Sequence, residues 1–208
     1  MTPEILLDRG LNELALQLNP YARNNLIAYL ELLGKWNRTY NLTAIRDPLK
    51  MVTHHLLDSL AVLPHLPAGN LADIGSGGGL PGIPIALAQP ERQVVLNDSS
   101  EKKAAFMRQA TIALGMKNAV VHCGRVETWW PKERFRVVIS RGFAELADFV
   151  AACRHLVAPG GVLAAMKGLF PRQEASRVAR GVECSDVIRL RVPFLDAERH
   201  LVMCHVVD

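Results

Sequence analysis

The segment LADIGSGGGLPGIP, Leu71 to Pro84, constrains this chain more than any other stretch. Leu71–Ile74 reads as a short apolar strand. Four glycines (Gly75, Gly77, Gly78, Gly79) follow within five positions, and Gly82 comes shortly after. Glycine tolerates positive φ and has no side chain, so this backbone can turn sharply and press against a ligand. A helix starting beyond it points its N-terminal amides and positive dipole end back at the turn. Such a unit opens a sheet that binds a nucleotide-type cofactor.

Length and charge bound the rest. At 208 residues, half of them apolar, the chain suits one domain with a sizeable core, with room for an extension. No apolar run reaches membrane-spanning length, and the N-terminus lacks a signal peptide's basic start and apolar stretch. The expectation is a soluble cytoplasmic protein, monomeric and without membrane attachment. Four cysteines (Cys123, Cys153, Cys184, Cys204) are scattered without C-x-x-C spacing. They read as buried free thiols, with neither metal site nor disulfide expected. The net charge is +4, and all of the excess lies in residues 67–208, which carry eighteen basic and fourteen acidic side chains. That bias is compatible with a nucleic-acid partner without establishing one.

Two regions follow from the periodicity. Residues 1–66 read as a helical extension. Asn19-Pro20 and Asp47-Pro48 are N-cap and first-position pairs. Leu26, Ile27, Leu30, Leu33 and Trp36 form one apolar stripe; Val52, Leu56, Leu60 and Leu63 form another, which Pro64 ends. Residues 67–208 alternate. Strands are expected at Leu71–Ile74, Val94–Asn97, Ala119–Cys123, Arg136–Ser140, Val162–Lys167, Asp186–Val192 and Leu201–Val207. Helices are expected over 81–89, 100–114 and 145–157, with a shorter one near 172–180. Strand–helix alternation gives a parallel sheet covered on both faces. Pro193 to His200 is too short for a crossover, so the last two strands form an antiparallel hairpin. This is the α/β architecture of class I methyltransferases, Rossmann-like with seven strands. A dinucleotide dehydrogenase would instead continue with a second parallel half.

Three ligands compete for the glycine turn. A P-loop needs G-x-x-x-x-G-K-[ST], and no such lysine follows Gly82; Pro81 and Pro84 also remove two amide donors. Gly77, Gly79 and Gly82 do satisfy the dinucleotide phrase G-x-G-x-x-G, which on its own is unspecific. Asp73, Gly75, Gly77 and Gly79 satisfy D-x-G-x-G-x-G, which resembles motif I of S-adenosylmethionine (SAM) enzymes. SAM lacks a pyrophosphate and needs backbone amides and an acid for its methionine end, so SAM is the preferred reading. Asp98, after the second strand, either bonds ribose hydroxyls or belongs to the start of the following helix. The loop Gly124-Arg125-Val126-Glu127 either flanks an adenine or is a surface turn.

Several segments together resemble the RsmG family, also called GidB, of 16S ribosomal RNA (guanine-N7)-methyltransferases. They are YLELLGKWNRTYNLTAIRDP (29–48), HHLLDSL (54–60), DIGSGGGLPGIPIAL, LNDSSEKKAAFM, GRVE (124–127), SRGFAEL (140–146), MKG (166–168) and ERHLV (198–202). The resemblance spans nearly the whole chain. It implies SAM contacts at Gly75, Leu80, Val126, Glu127 and Arg141, with Asp98 at the family's acidic position. Asn97 stands where an apolar residue is usual, and Gly142 where alanine is common.

The resemblance also implies methyl transfer to N7 of a guanine, position 527 of 16S rRNA, in the decoding-region hairpin. The substrate would be 16S rRNA or a small-subunit particle. Guanine N7 carries a lone pair and no proton, so in-line attack on a sulfonium methyl needs no general base. Arg125, Arg141 and Lys167 are then substrate-positioning cations rather than bases, bonding guanine O6 or phosphate, since an N7 contact would block the nucleophile. His55, Asp58 and Ser59 share a helical face and form either a wall of the guanine pocket or a polar seam. Trp129-Trp130 reads as packing at the edge of the core in preference to a stacking surface for RNA. Arg172, Arg177, Arg180, Arg189, Arg191 and Arg199 are candidate phosphate contacts. Two other readings stay open: an NAD(P)-dependent oxidoreductase, and a catalytically silent rRNA-binding or assembly protein.

Overall fold

The computed structural model describes residues 1–143, 145–169 and 181–207. A seven-stranded sheet has the order β3-β2-β1-β4-β5-β7-β6. Its strands are β1 Leu71–Ile74, β2 Val94–Asp98, β3 Ala119–Cys123, β4 Phe135–Arg141, β5 Val157–Lys167, β6 Val182–Arg189 and β7 His200–Val206. The pairs among β1 to β5 are parallel, and β7 runs antiparallel to both β5 and β6. The order reverses beside β1, which places the glycine turn at the switch point of the sheet.

Alternation along each strand divides the core in two. Leu71, Leu96, Val137, Ile139, Ala164 and Leu201 face one side, joined by Ile83 of α5 (Gly82–Ala88) and Phe106 of α6 (Glu101–Ala113). Ala72, Ile74, Val138, Leu163 and Val202 face the other, against Phe149 and Val150 of α7 (Leu146–Cys153). Apolar runs of this kind suit strands buried on both faces.

The N-terminal helices complete the first side. They are α1 Pro3–Glu13, α2 Pro20–Tyr40, α3 Pro48–Met51 and α4 Asp58–Leu60; a π-helical segment, Val52–Leu57, joins the last two. Asn19 and Asp47 cap their helices as expected, accepting from the amides of Ala22 and Lys50. Leu26, Tyr29, Leu33, Leu56 and Leu60 lie in the same hydrophobic cluster as the sheet residues. No described helix is long and apolar enough to cross a membrane.

Several expectations are corrected. Cys184 and Cys204 are joined by a disulfide, because the register that pairs Val182 with Val206 and Glu183 with His205 sets these positions of β6 and β7 opposite one another. Cys123 and Cys153 are free thiols, but only Cys153 is fully buried. β6 begins at Val182 and ends at Arg189, its last pair with His200, after which the chain leaves for a turn closed by Leu195 on Val192. Val157 opens β5 rather than closing a helix; α7 stops at Cys153 and a 3-10 turn, Arg154–Leu156, intervenes. α4 ends at Leu60, and Pro64 lies inside a 3-10 turn, Leu63–His65. Trp129 packs in the second cluster and stacks on His122, whereas Trp130 is exposed. The helix expected near 172–180, with Arg172, Arg177 and Arg180, lies outside the described residues.

Tyr29 fastens α2 to the glycine turn, its hydroxyl donating to the Gly78 carbonyl in a fully buried position. Tyr29→Phe leaves that carbonyl without its partner. The expected cost is about 1–2 kcal/mol of stability, a few degrees in a thermal melt, with weaker SAM binding by calorimetry. Unchanged melting and SAM affinity would show that this contact does not support the turn.

Candidate active site

The glycine turn hangs on buried carboxylates. Asp73, at the end of β1, is fully buried and accepts through Oδ2 from the Ser76 hydroxyl and from the Gly82 amide at 2.8 Å. Burial pushes its carboxyl up to about 6, against the lowering effect of those two donors. Gly75, Gly77 and Gly79 have φ of +68°, +61° and +84°, the left-handed region that favours glycine. A Cβ on Gly82 would stand 2.7 Å from Asp73 Oδ2 and 2.3 Å from Leu96 Cδ2, so the helix can approach the strand this closely only with glycine there.

The turn's amides are largely spent inside the protein. Ser76 donates to Asn97 O, Gly79 and Leu80 to Ser76 O, Gly77 to Asp98 Oδ2 at 3.0 Å, and Gly82 to Asp73. A phosphate cradle needs such donors free. Asp98 also accepts from the Ser100 amide through Oδ1 and lies 3.5 Å from the Lys103 ammonium. It therefore starts the helix, one of the two sequence readings, and it also braces the turn beside a cavity. Its neighbour Asn97 points its amide the other way, to the carbonyls of His122 and Gly124, and so holds the 124–127 loop against β2.

Two cavities open at the carboxyl ends of the parallel strands. The first, about 360 Å³, is lined by Gly75, Asp98, Ser99, Val126, Glu127 and Phe143, together with Arg125 and Lys103 at its basic margin. The second, about 390 Å³, is lined by His55, Asp58, Arg141, Met166, Lys167 and Arg199. The segment 141–143 contributes Phe143 to one and Arg141 with Gly142 to the other, so it partitions them. Gly142 has φ of +104°, which accounts for glycine in that partition. A larger cavity, about 650 Å³, lies among the N-terminal helices and holds none of the predicted site residues.

Polar contacts shape the second cavity. Arg141 Nη1 donates to Asp58 Oδ2 at 3.1 Å and to the His54 carbonyl at 3.0 Å. Arg199 Nε donates to Asp58 Oδ1 at 2.9 Å. The Lys167 ammonium donates to the Phe143 carbonyl at 3.2 Å and so supports the partition. His55 Nε2 lies 2.9 Å from Thr43 Oγ1, and Thr43 is pinned by reciprocal bonds with buried Asn37. Asp58 thus joins the helical region to the sheet, His55 is tied to Thr43 within the helical region, and both line the cavity. Among the described residues the buried Ser59 hydroxyl has no hydrogen-bond partner.

The structure gathers Gly75, Asp98, Val126, Glu127 and Arg125 around the first cavity and Arg141 and Lys167 around the second. Leu80 stands apart: its side chain is buried in the core. Sequence reading overlooked Tyr29, Asn37, Thr43 and Phe143. All four lie inside quoted motifs, but their roles are tertiary, and nothing in local spacing marks them.

The sheet order, the glycine turn at its switch point and the closing antiparallel hairpin define a class I SAM-dependent methyltransferase fold. A structure described as a DhpI–SAH complex superposes with a TM-score of 0.57 at 17% identity, covering 89% of this chain and 97% of the other. TrmN from Thermus thermophilus gives 0.57 at 16% identity, covering 82% of this chain and 53% of that one. A family profile described as rRNA small subunit methyltransferase G (GidB) matches residues 22–202. Proteins named ribosomal RNA small subunit methyltransferase G are 53% identical in Aromatoleum aromaticum (95% of this chain, 96% of the relative) and 49% in Laribacter hongkongensis (94% and 95%). The chain belongs to this family and is a methyltransferase of it.

Burial, then the Arg141 charge, hold the His55 imidazole down at about 4. A base depressed in the fold takes up a proton on unfolding, so His55 removes stability as pH falls from about 6.5 towards 4. Asp73, raised in the fold, acts in the opposite sense between about 3.8 and 6. Nitrogen-detected NMR is expected to find the His55 ring neutral down to about pH 5; a titration midpoint at or above 6.5 would contradict this environment.

Proposed function

We propose that the chain transfers a methyl group from SAM to N7 of a guanine in 16S rRNA, position 527 of the decoding-region hairpin. The observation that carries the reading is the pair of cavities sharing the 141–143 partition: one suited to a nucleoside, the other cationic.

The first cavity fits the donor. Asp98 offers a carboxylate to hydroxyl groups. Val126, Ile74 and Phe143 offer apolar surface to a ring, and the backbone at Gly75 and Gly124 is open to close approach. Glu127 adds a second acceptor at the rim. Leu80 contributes through the shape of the turn rather than by lining the cavity. When bound, SAM supplies a methyl group made electrophilic by its sulfonium.

The second cavity fits the acceptor. Arg141, Arg199 and Lys167 present cations to a guanine O6 or to phosphate, and leave N7 uncovered. Arg125, exposed at the rim of the first cavity, is placed to meet flanking RNA. N7 has a lone pair and no proton, so the site needs no general base. His55, held neutral, supplies a wall rather than a proton. The protein's work is orientation and exclusion of water. A dehydrogenase reading loses its support from the sheet, whose second half ends in an antiparallel hairpin.

Mass spectrometry of 16S rRNA from cells lacking this protein tests the assignment. N7-methylguanine at that hairpin is expected to vanish and to return on complementation. Its persistence in the deleted strain would refute the substrate. Rescue of ribosome assembly without return of the methyl group would favour the silent rRNA-binding alternative.

A further inference from the structure

We propose that Asp58 is a positioning residue for the acceptor: its carboxylate, carried in from the N-terminal helices, sets the fork in which Arg141 and Arg199 meet the RNA. The inference rests on reading the second cavity as the acceptor side.

Three elements distant in sequence converge on this carboxylate. Asp58 opens α4, Arg141 ends β4, and Arg199 immediately precedes β7. The Asp58 side chain is 2% exposed, whereas those of both arginines are 24% exposed. Each guanidinium is therefore held on one side and open on another. Arg141 uses Nη1 for Asp58 and for the His54 carbonyl, and Arg199 uses Nε for Asp58 and Nη1 for the Glu198 carbonyl. A guanidinium carries five N–H donors, so both keep donors for a ligand.

The charge count points away from a purely structural pair. A buried ion pair is weak evidence for stability, because desolvation offsets its attraction. Here, among the described residues, one carboxylate faces two guanidiniums. That triad keeps a cationic excess while its arginines are fixed. Arginine has considerable rotamer freedom, and holding it in advance removes that cost from binding.

The helix is built to deliver Asp58 to this place. Its amide reaches the carbonyls of Thr53 and His55 within the π-helical turn, and the His54 carbonyl accepts from Arg141. Such π-turns recur at functional sites, where an extra residue re-aims the helix. The helical region thereby enters the chemistry through one charged group as well as through packing.

The test uses the full chain, small subunits prepared from cells lacking it, and labelled SAM. Asp58→Asn keeps the shape and removes the charge. It is expected to lower kcat about tenfold or more, because the arginines lose their fixed geometry. KM for the particle is expected to stay level or fall, since the cavity becomes more cationic. SAM affinity should hold within about twofold. Arg199→Lys, which keeps the charge but loses the planar fork, should show the same split if Asp58→Asn does not fold. Wild-type kcat in both variants would overturn the proposal. So would a fall in SAM affinity and melting temperature that tracks the loss of activity, since that marks a structural role. If the wild-type chain methylates no rRNA, the acceptor reading itself fails; if it does and the variants turn over normally, only the role of Asp58 fails.

Discussion

The buried carboxylate of Asp73 is the contact on which the site depends. It sits near the end of β1, out of water, and gathers the Ser76 hydroxyl and the Gly82 amide onto one oxygen. That single acceptor ties both ends of the glycine turn to β1. Burial alone would favour the neutral acid, and the two donors work against that tendency. The turn is thus held by one strong acceptor beneath it, with Asp98 and the Asn97 carbonyl holding it from β2. Because its amides are engaged in this way, the turn shapes a cavity instead of cradling a phosphate.

The helical region is part of this construction. Tyr29 reaches the turn from one side, and Leu33 lies 3.2 Å from where a Cβ on Gly78 would be. The π-helical segment brings His55 and Asp58 to the other cavity. The boundary drawn near residue 66 marks a change of periodicity, while the packing runs across it without a break. We propose that the extension serves as the acceptor-side wall of the methyltransferase domain.

Much of this was legible in the residues. The parallel sheet with helices on its faces followed from alternation, and the antiparallel finish from the short Pro193–His200 connection. Asp98, Val126 and Gly75 followed from motif position. What was hidden is what tertiary structure decides. The Cys184–Cys204 bridge depends on the register of β6 against β7, which no spacing rule announces. Leu80 occupies a motif position, yet its side chain turns into the core. Arg141 was read both as a SAM contact and as a substrate-positioning cation; which cavity its guanidinium lines, alongside Asp58, is set by tertiary structure. Helical spacing put His55, Asp58 and Ser59 on one face without indicating which of them would meet a cation.

The central claim is that donor and acceptor occupy separate cavities divided by Arg141–Phe143. A crystal structure with S-adenosylhomocysteine tests it most directly. The account predicts ligand density between Gly75, Asp98 and Val126, with the cavity of Asp58, Arg141 and Lys167 left for the acceptor. Density for the adenosyl group among Asp58, Arg141 and Lys167, or between the N-terminal helices, would contradict it.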